Sequence, residues 1–184
     1  MARDDAKLVG RTLKGDKRAF EELVHRHQTR LLASALHLAG DRETAEDLAQ
    51  EAFVEAYRAL RSLRDRRNFG GWLYGILRNR YRRYVAHRPP TMLSWETDEV
   101  PEPAADGPEP PASDIVPLLH RLPLESREVL AARYLNDMSY AEMAAMLGTT
   151  TGNVRVKCFR AREALRELLA RTDSAAAAEG GGLG

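Results

Sequence analysis

The chain has 184 residues, room for one ordinary domain or two small ones, and a formal net charge of +1. A single cysteine, Cys158, excludes an intrachain disulfide and a cysteine-only zinc site. No apolar run is long enough to span a bilayer, and the opening MARDDAKLVG lacks a signal-peptide hydrophobic core, so a soluble cytoplasmic protein is expected. The distribution of charge says more than its sum. Residues 1–90 are basic, whereas 91–120 carry acidic residues and no Lys or Arg.

Asp4 to Leu13 reads as a short helix that stops near Gly15. Asp16 is placed to cap the next helix, its carboxylate accepting from the free amides of the first turn. Phe20, Leu23, Val24, Leu31, Leu32, Ala35, Leu36 and Ala39 give that second helix a long apolar face; Gly40 ends it and Asp41 can cap a third. His25 and His27 lie two residues apart, so on a helix they point in different directions and make a poor metal site. Surface or partly buried histidines are the expectation.

From Thr44 the sequence runs TAEDLAQEAFVEAYRALRSL. Ala45, Leu48, Ala52, Ala56 and Leu60 recur at three- and four-residue steps as a narrow apolar stripe. Glu46, Asp47, Gln50, Glu51 and Glu55 form an acidic strip on the other side; most such faces are simply solvated. Ser62 to Gly71 is rich in Arg, Asp, Asn and Gly and is expected to be an exposed, permissive loop. WLYGILRNRYRRYVAHR then has the opposite character. Trp72, Leu73, Ile76, Leu77 and Tyr84 supply a packing face, with Trp72 at least partly buried, while Arg78, Arg80, Arg82, Arg83 and Arg88 crowd the remainder. Such a face repels itself unless it meets phosphate, which points to nucleic acid. The interleaved aromatics permit base stacking.

Residues 89–113, PPTMLSWETDEVPEPAADGPEPPAS, cannot bury enough apolar surface to fold alone and read as a linker, extended in part by prolines. Trp95 stands out there as a candidate docking anchor. Asp114 opens a second helical domain, with a short helix to Arg121 and a helix over LESREVLAARYL that turns Val129, Leu130 and Ala132 inward. Ser139 and Glu142 form a capping box for a helix ending at Leu147–Gly148, and Thr151 starts the last helix. Helix, short Gly-containing turn and helix make a helix-turn-helix, its second member suited to the DNA major groove. Val154, Cys158, Ala161 and Leu165 form one stripe to pack on Met143, Ala144 and Leu147, so Cys158 reads as a small core residue rather than a redox sensor. Thr151, Gly152, Asn153, Arg155, Val156 and Phe159 lie outward, where base edges are met; Lys157, Arg160 and Arg162 suit phosphates. The tail from Asp173 is low-complexity and expected to be disordered.

DLAQEAF, followed by a loop and WLYGILRN, resembles the RNA polymerase sigma factors of the sigma-70 family, extracytoplasmic-function (group 4) subfamily. DDAKLVGRTLKGDKRAFEELVHRH resembles the opening of the family's sigma-2 domain, and SYAEMAAMLGTTTGNVRVKCFRARE its sigma-4 domain. The resemblance covers nearly the whole chain except linker and tail. It implies an all-α fold of two small domains: a sigma-2-like bundle over 1–88 and a sigma-4-like helix-turn-helix over 114–172. The flexible acidic linker 89–113 joins them, and a disordered tail, 173–184, follows.

The resemblance also implies partners. The acidic helix would dock on the clamp helices of the core polymerase β′ subunit through Asp47, Gln50, Glu51, Phe53 and Tyr57, with the β subunit a further contact. The loop and basic helix match the part that melts and reads the −10 promoter element, and a flipped-out base is captured by the loop. That set is Arg64, Arg66, Asn68, Trp72, Tyr74, Arg78, Asn79, Arg82 and Arg83. The last helix would read duplex −35 DNA through Thr151, Gly152, Asn153, Arg155, Val156, Lys157, Phe159 and Arg160. Many relatives carry an acidic residue four positions after Asn79; Arg83 stands there instead and is expected to add a phosphate contact. In the family the linker threads through polymerase toward the RNA exit channel. An anti-sigma factor is implied as well, holding the two domains in a form unable to bind polymerase.

No catalytic residue, metal or cofactor is expected, since no phosphate-cradling glycine loop, metal-ligand spacing or nucleophile–base pairing occurs. The competing reading is a conventional regulator that binds duplex DNA through Thr151–Arg162 and dimerises through its N-terminal domain. It accounts for the last domain and poorly for the acidic-then-aromatic pair.

Overall fold

Helices α1 (Ala2–Thr12), α2 (Lys17–Ala39), α3 (Arg42–Ala59) and α4 (Phe69–Ala86) form the N-terminal half of the computed structural model, which describes residues 2–87 and 119–180. The linker 89–113, Trp95, Arg88 and most of the helix expected from Asp114 to Arg121 lie outside the described residues. The C-terminal half holds α5 (Leu124–Leu130), α6 (Tyr140–Leu147) and α7 (Thr151–Gly180).

The helix ends follow the local chemistry expected of them. Asp16 caps α2 by accepting from the Ala19 amide at 3.3 Å, and Arg11 grips the same carboxylate at 2.7 and 2.9 Å. Gly40 ends α2 at φ +85°, its N–H donating to the Leu36 carbonyl at 2.9 Å. Asp41 then caps α3 through the Thr44 amide at 2.8 Å. Ser139 and Glu142 close the capping box of α6, and Gly148 ends that helix at φ +63°.

The N-terminal core is built from Val9, Leu23, Leu31, Leu38, Phe69, Leu73 and Leu77, none more than 2 % exposed. Each such large apolar side chain contributes about 1.5–3 kcal/mol by leaving water. Ala45, Ala52 and Ala56 of α3 are also sealed, and their small side chains let α3 lie close against α2. In the C-terminal half Val129, Leu130, Ala132, Met143, Val154, Cys158 and Ala161 are buried together.

Three local expectations change. The presumed loop Ser62–Gly71 is largely helical: short 3-10 turns cover Leu60–Ser62 and Arg66–Asn68, and α4 begins at Phe69. The helix after α5 widens into a π-helical turn over Ala131–Leu135, closed by the Asn136 amide on the Ala131 carbonyl at 3.1 Å. Helix α7 continues to Gly180, into the segment read as a disordered tail; its alanine run has the highest intrinsic helix propensity.

The two halves pack on each other. At the C-terminal end of α2, Arg127 donates to the Leu38 carbonyl (2.8 Å), and His120 Nε2 donates to the Leu36 carbonyl (3.2 Å). His37 Nε2 returns a bond to the Arg127 carbonyl (2.8 Å). Asn136 donates to Ser34 (2.9 Å), and Arg30 pairs with Asp137 (3.1 Å). Helix α4 meets the second half through Tyr74, Arg78 and Arg82, all on Glu128.

Candidate nucleic-acid interface

Helix α3 turns its apolar stripe inward and presents Asp47, Gln50, Glu51 and Tyr57 to solvent, with Phe53 half-buried beneath them. Val54, 45 % exposed, adds an apolar group to this face. Tyr57 is held by an edge-on contact with Phe20 at 4.9 Å between ring centroids. The acidic strip is not uniformly free. Arg80 of α4 bonds Glu55 at 2.7 Å and pairs with Glu51, so that part of the strip is neutralised while Asp47 and Gln50 stay exposed.

Arg64 and Arg66 are exposed beside α4, and Asn68 is half-buried. The Asn68 amide lies over the start of α4 where a side chain at Gly71 would collide with it. Asp65 orders this turn by accepting from the Arg67 amide at 2.9 Å. Below it, Phe69 is fully buried, with Trp72 tilted against it at 6.0 Å and His27 edge-on at 5.2 Å. His27 Nε2 in turn sits 3.0 Å from a buried Asp5 carboxylate oxygen. Burial lowers the His27 pKa, and Asp5 pulls it back up. This Asp5–His27–Phe69 support joins α1 to the base of the loop. Sequence reading missed it, having expected a surface or partly buried histidine; two residues 22 apart on different helices leave no periodic signal.

On α4 itself, Asn79, Arg82 and Arg83 reach the surface, but Tyr74 and Arg78 do not. Tyr74 is fully buried and donates to the Glu128 carbonyl at 2.8 Å. Burial pushes its phenol well above the ordinary range, with the Glu128 charge adding to the rise. Arg78 Nε lies 3.1 Å from the Glu128 carboxylate, and Arg82 binds that carboxylate through two nitrogens at 2.6 and 2.7 Å. That hydrogen bonding raises the Arg82 pKa further. The arrangement therefore leaves the basic loop, Asn79 and Arg83 exposed and buries Tyr74 and Arg78.

The start of α7 is open. Thr151, Gly152, Asn153, Arg155, Val156, Phe159 and Arg160 are exposed, with Val156 at 49 % and Phe159 at 55 %. Thr150 caps this helix through the Asn153 amide at 3.2 Å, while the Asn153 side chain donates to Thr149 at 3.1 Å. Arg155 lies 5.5 Å over the Tyr140 ring, and Lys157 pairs with Glu125 of α5. Arg162, placed with the phosphate set by its sequence position, is half-buried. Burial also raises the Cys158 thiol pKa, consistent with a core role.

Two family models match the chain: sigma-70 region 2 over residues 23–88 and sigma-70 region 4 over 114–165. The RNA polymerase sigma-H factor of Pseudomonas aeruginosa is 34 % identical over 181 residues, spanning 90 % of this chain and 93 % of its own. The chain belongs to the sigma-70 family of RNA polymerase sigma factors. Its place in the extracytoplasmic-function subfamily follows from relatives such as the sigma-E factor of Escherichia coli K12, 35 % identical over 178 residues, 88 % of this chain and 92 % of the relative. Two solved structures share the fold. CnrH in complex with the cytosolic domain of CnrY has 27 % identity and a TM-score of 0.69, covering 91 % of this chain and 98 % of that one. The sigma factor RpoE in complex with the anti-sigma factor NepR, from Bartonella quintana, has 26 % identity and a TM-score of 0.66, covering 82 % and 96 %. The region 2 match takes in most of α2 and all of α3 and α4, and the region 4 match takes in α5, α6 and the first half of α7. No helix among the described residues is long and apolar enough to cross a membrane.

Proposed function

We propose that this sigma factor binds core RNA polymerase in the cytoplasm, directs it to promoters by their −10 and −35 elements, and helps open the −10 region. The observation that supports this best is the division of one bundle into two open faces. Helix α3 presents Asp47, Gln50 and Tyr57, an acidic and aromatic surface suited to a basic protein partner, while the adjoining turn and α4 present Arg64, Arg66, Asn79 and Arg83. Two adjacent faces of opposite charge fit a protein that holds polymerase and DNA at once. Residues 1–88 would serve polymerase and the −10 strand, and 114–172 the −35 duplex, with Arg155, Val156, Phe159 and Arg160 at the base edges and phosphates. The factor carries out no chemistry of its own in this reading. An anti-sigma factor is a further partner, supported by the two complexes of similar sigma factors.

Run-off transcription with purified core polymerase, on DNA from upstream of the protein's own gene, tests the reading. Specific transcripts that disappear with the Asp47→Ala/Gln50→Ala variant are expected. Transcripts surviving that variant would remove polymerase docking from α3. No transcript at all, with tight duplex binding by the protein alone, would transfer the reading to a conventional regulator.

A further inference from the structure

Glu128 has no solvent-exposed surface, yet it sits at the seam between the two halves rather than within either core. A buried carboxylate is costly unless several donors compensate it. Among the described residues, all the compensation comes from α4. Arg82 supplies two N–H groups at 2.6 and 2.7 Å, Arg78 supplies a guanidinium at 3.1 Å, and Tyr74 satisfies the backbone carbonyl of the same residue at 2.8 Å. These three residues belong to the set expected to meet the −10 strand. The guanidinium fork that takes a carboxylate through two parallel bonds is the same fork that takes a phosphate. One occupant therefore excludes the other.

We propose that Glu128 is an internal occupant of the phosphate-binding face of α4, and that the free chain thereby closes its region 4 over part of its own −10 surface. The proposal rests on the promoter-binding reading above. Covalent linkage gives Glu128 an effective concentration of order mM against this face, enough to compete with a single strand held by a few contacts. Other contacts across the seam, His37 and Leu38 with Arg127, Leu36 with His120, Ser34 with Asn136 and Arg30 with Asp137, involve none of the expected DNA residues. They hold the halves together, while Glu128 supplies the competition. Closure is selective. Asp47, Gln50 and Tyr57 stay exposed in this arrangement, as does the outer face of α7, so polymerase can engage α3 before the −10 surface is released.

Full-length Glu128→Gln, which keeps the volume and removes the charge, is compared with the parent by small-angle scattering. The same proteins are titrated, by fluorescence anisotropy without polymerase, into a labelled non-template −10 strand from the run-off promoter. If about a tenth of the parent molecules are open, the variant binds the strand about tenfold more tightly, and its radius of gyration rises. Arg78→Ala/Arg82→Ala expands likewise but gains no affinity. Unchanged dimensions and affinity in Glu128→Gln overturn the proposal, as does a parent chain that is already extended.

Should Glu128→Gln fail to fold, Ser34→Cys/Asn136→Cys in a Cys158→Ala background decides. The oxidised, locked chain is expected to lose strand binding and regain it on reduction; equal binding by both forms overturns the proposal. Absence of strand binding and of transcription in parent and variants alike sinks the promoter reading, and the competition with it. Scattering then still reports whether the chain closes.

Discussion

Gly40 tests the seam from the side opposite Glu128. It ends α2 at φ +85°, and a Cβ there would fall 2.8 to 3.0 Å from three atoms of the His120 ring. Gly15 shares the left-handed backbone, at φ +98°, with nothing within 4 Å of its Cβ position. Gly15→Ala therefore reports the backbone alone. A left-handed L-residue costs about 1–2 kcal/mol, partly offset by the lower freedom of the unfolded chain, for a net loss of roughly 1 kcal/mol. Gly40→Ala must also displace His120, whose ring donates to Leu36 at 3.2 Å and accepts from Arg127 at 2.9 Å. Two such bonds, at about 0.5–1.5 kcal/mol each, bring the expected loss to roughly 2–4 kcal/mol. Urea unfolding of both variants measures the difference. In a His120→Ala background the collision is gone, so the added cost of Gly40→Ala should shrink to that of Gly15→Ala. A Gly40→Ala loss no greater than that of Gly15→Ala, or one indifferent to His120, would refute the packing of His120 on α2.

His37 makes stability at the seam pH-dependent. Burial pushes its pKa down to about 4, the bond to the Arg127 carbonyl only partly opposing this, so the folded chain holds a neutral imidazole. As pH falls the unfolded chain takes the proton first, near pH 6.5. The contribution is thus complete above about 6.5 and lost as pH drops toward 4, about 3 kcal/mol in all. His37→Gln should flatten the urea midpoint against pH across that window; a profile parallel to the parent's would exclude His37 as the source. Arg83→Ala should weaken promoter binding across sequences and reduce the salt slope by roughly 0.7 to 0.9, the share of one phosphate contact. An unchanged slope would mean that Arg83 does not meet phosphate.

Most of the secondary structure was legible because its signals are local. Asp16, Gly40, Asp41 and the Ser139–Glu142 pair mark helix ends through contacts within a few residues. The inward stripe of α3 and the Val154–Cys158–Ala161 stripe of α7 follow from helical period alone. What escaped depends on contacts far apart in the chain. Tyr74 reads from sequence as one more aromatic on a DNA-binding helix, and only a partner 54 residues away makes it fully buried. His27 escaped for the same reason, through Asp5. The π-helical turn at Ala131–Leu135 faces α2 through Asn136 and Ser34, a pairing separated by 102 residues.

The arginines of α4 show what such distant contacts change in the argument for function. Read along the sequence, five arginines on one short basic stretch repel one another and point to phosphate. In the fold, three of the four that are described already have carboxylates. Arg80 is taken by Glu51 and Glu55 of α3, and Arg78 and Arg82 by Glu128 of α5. Charge repulsion alone therefore no longer argues for nucleic acid; the distribution of the partners does. Arg80 ties α4 to α3 and stays within one half, so domain movement leaves it in place. Arg78 and Arg82 are tied across the seam and are released when the halves part. Arg83, exposed and with no carboxylate partner among the described residues, is available in either state. A single helix thus carries one fixed, two conditional and one standing positive charge. Promoter affinity that rises on opening by the share of Arg78 and Arg82, and not of Arg83, is the consequence that separates this arrangement from a uniformly basic helix.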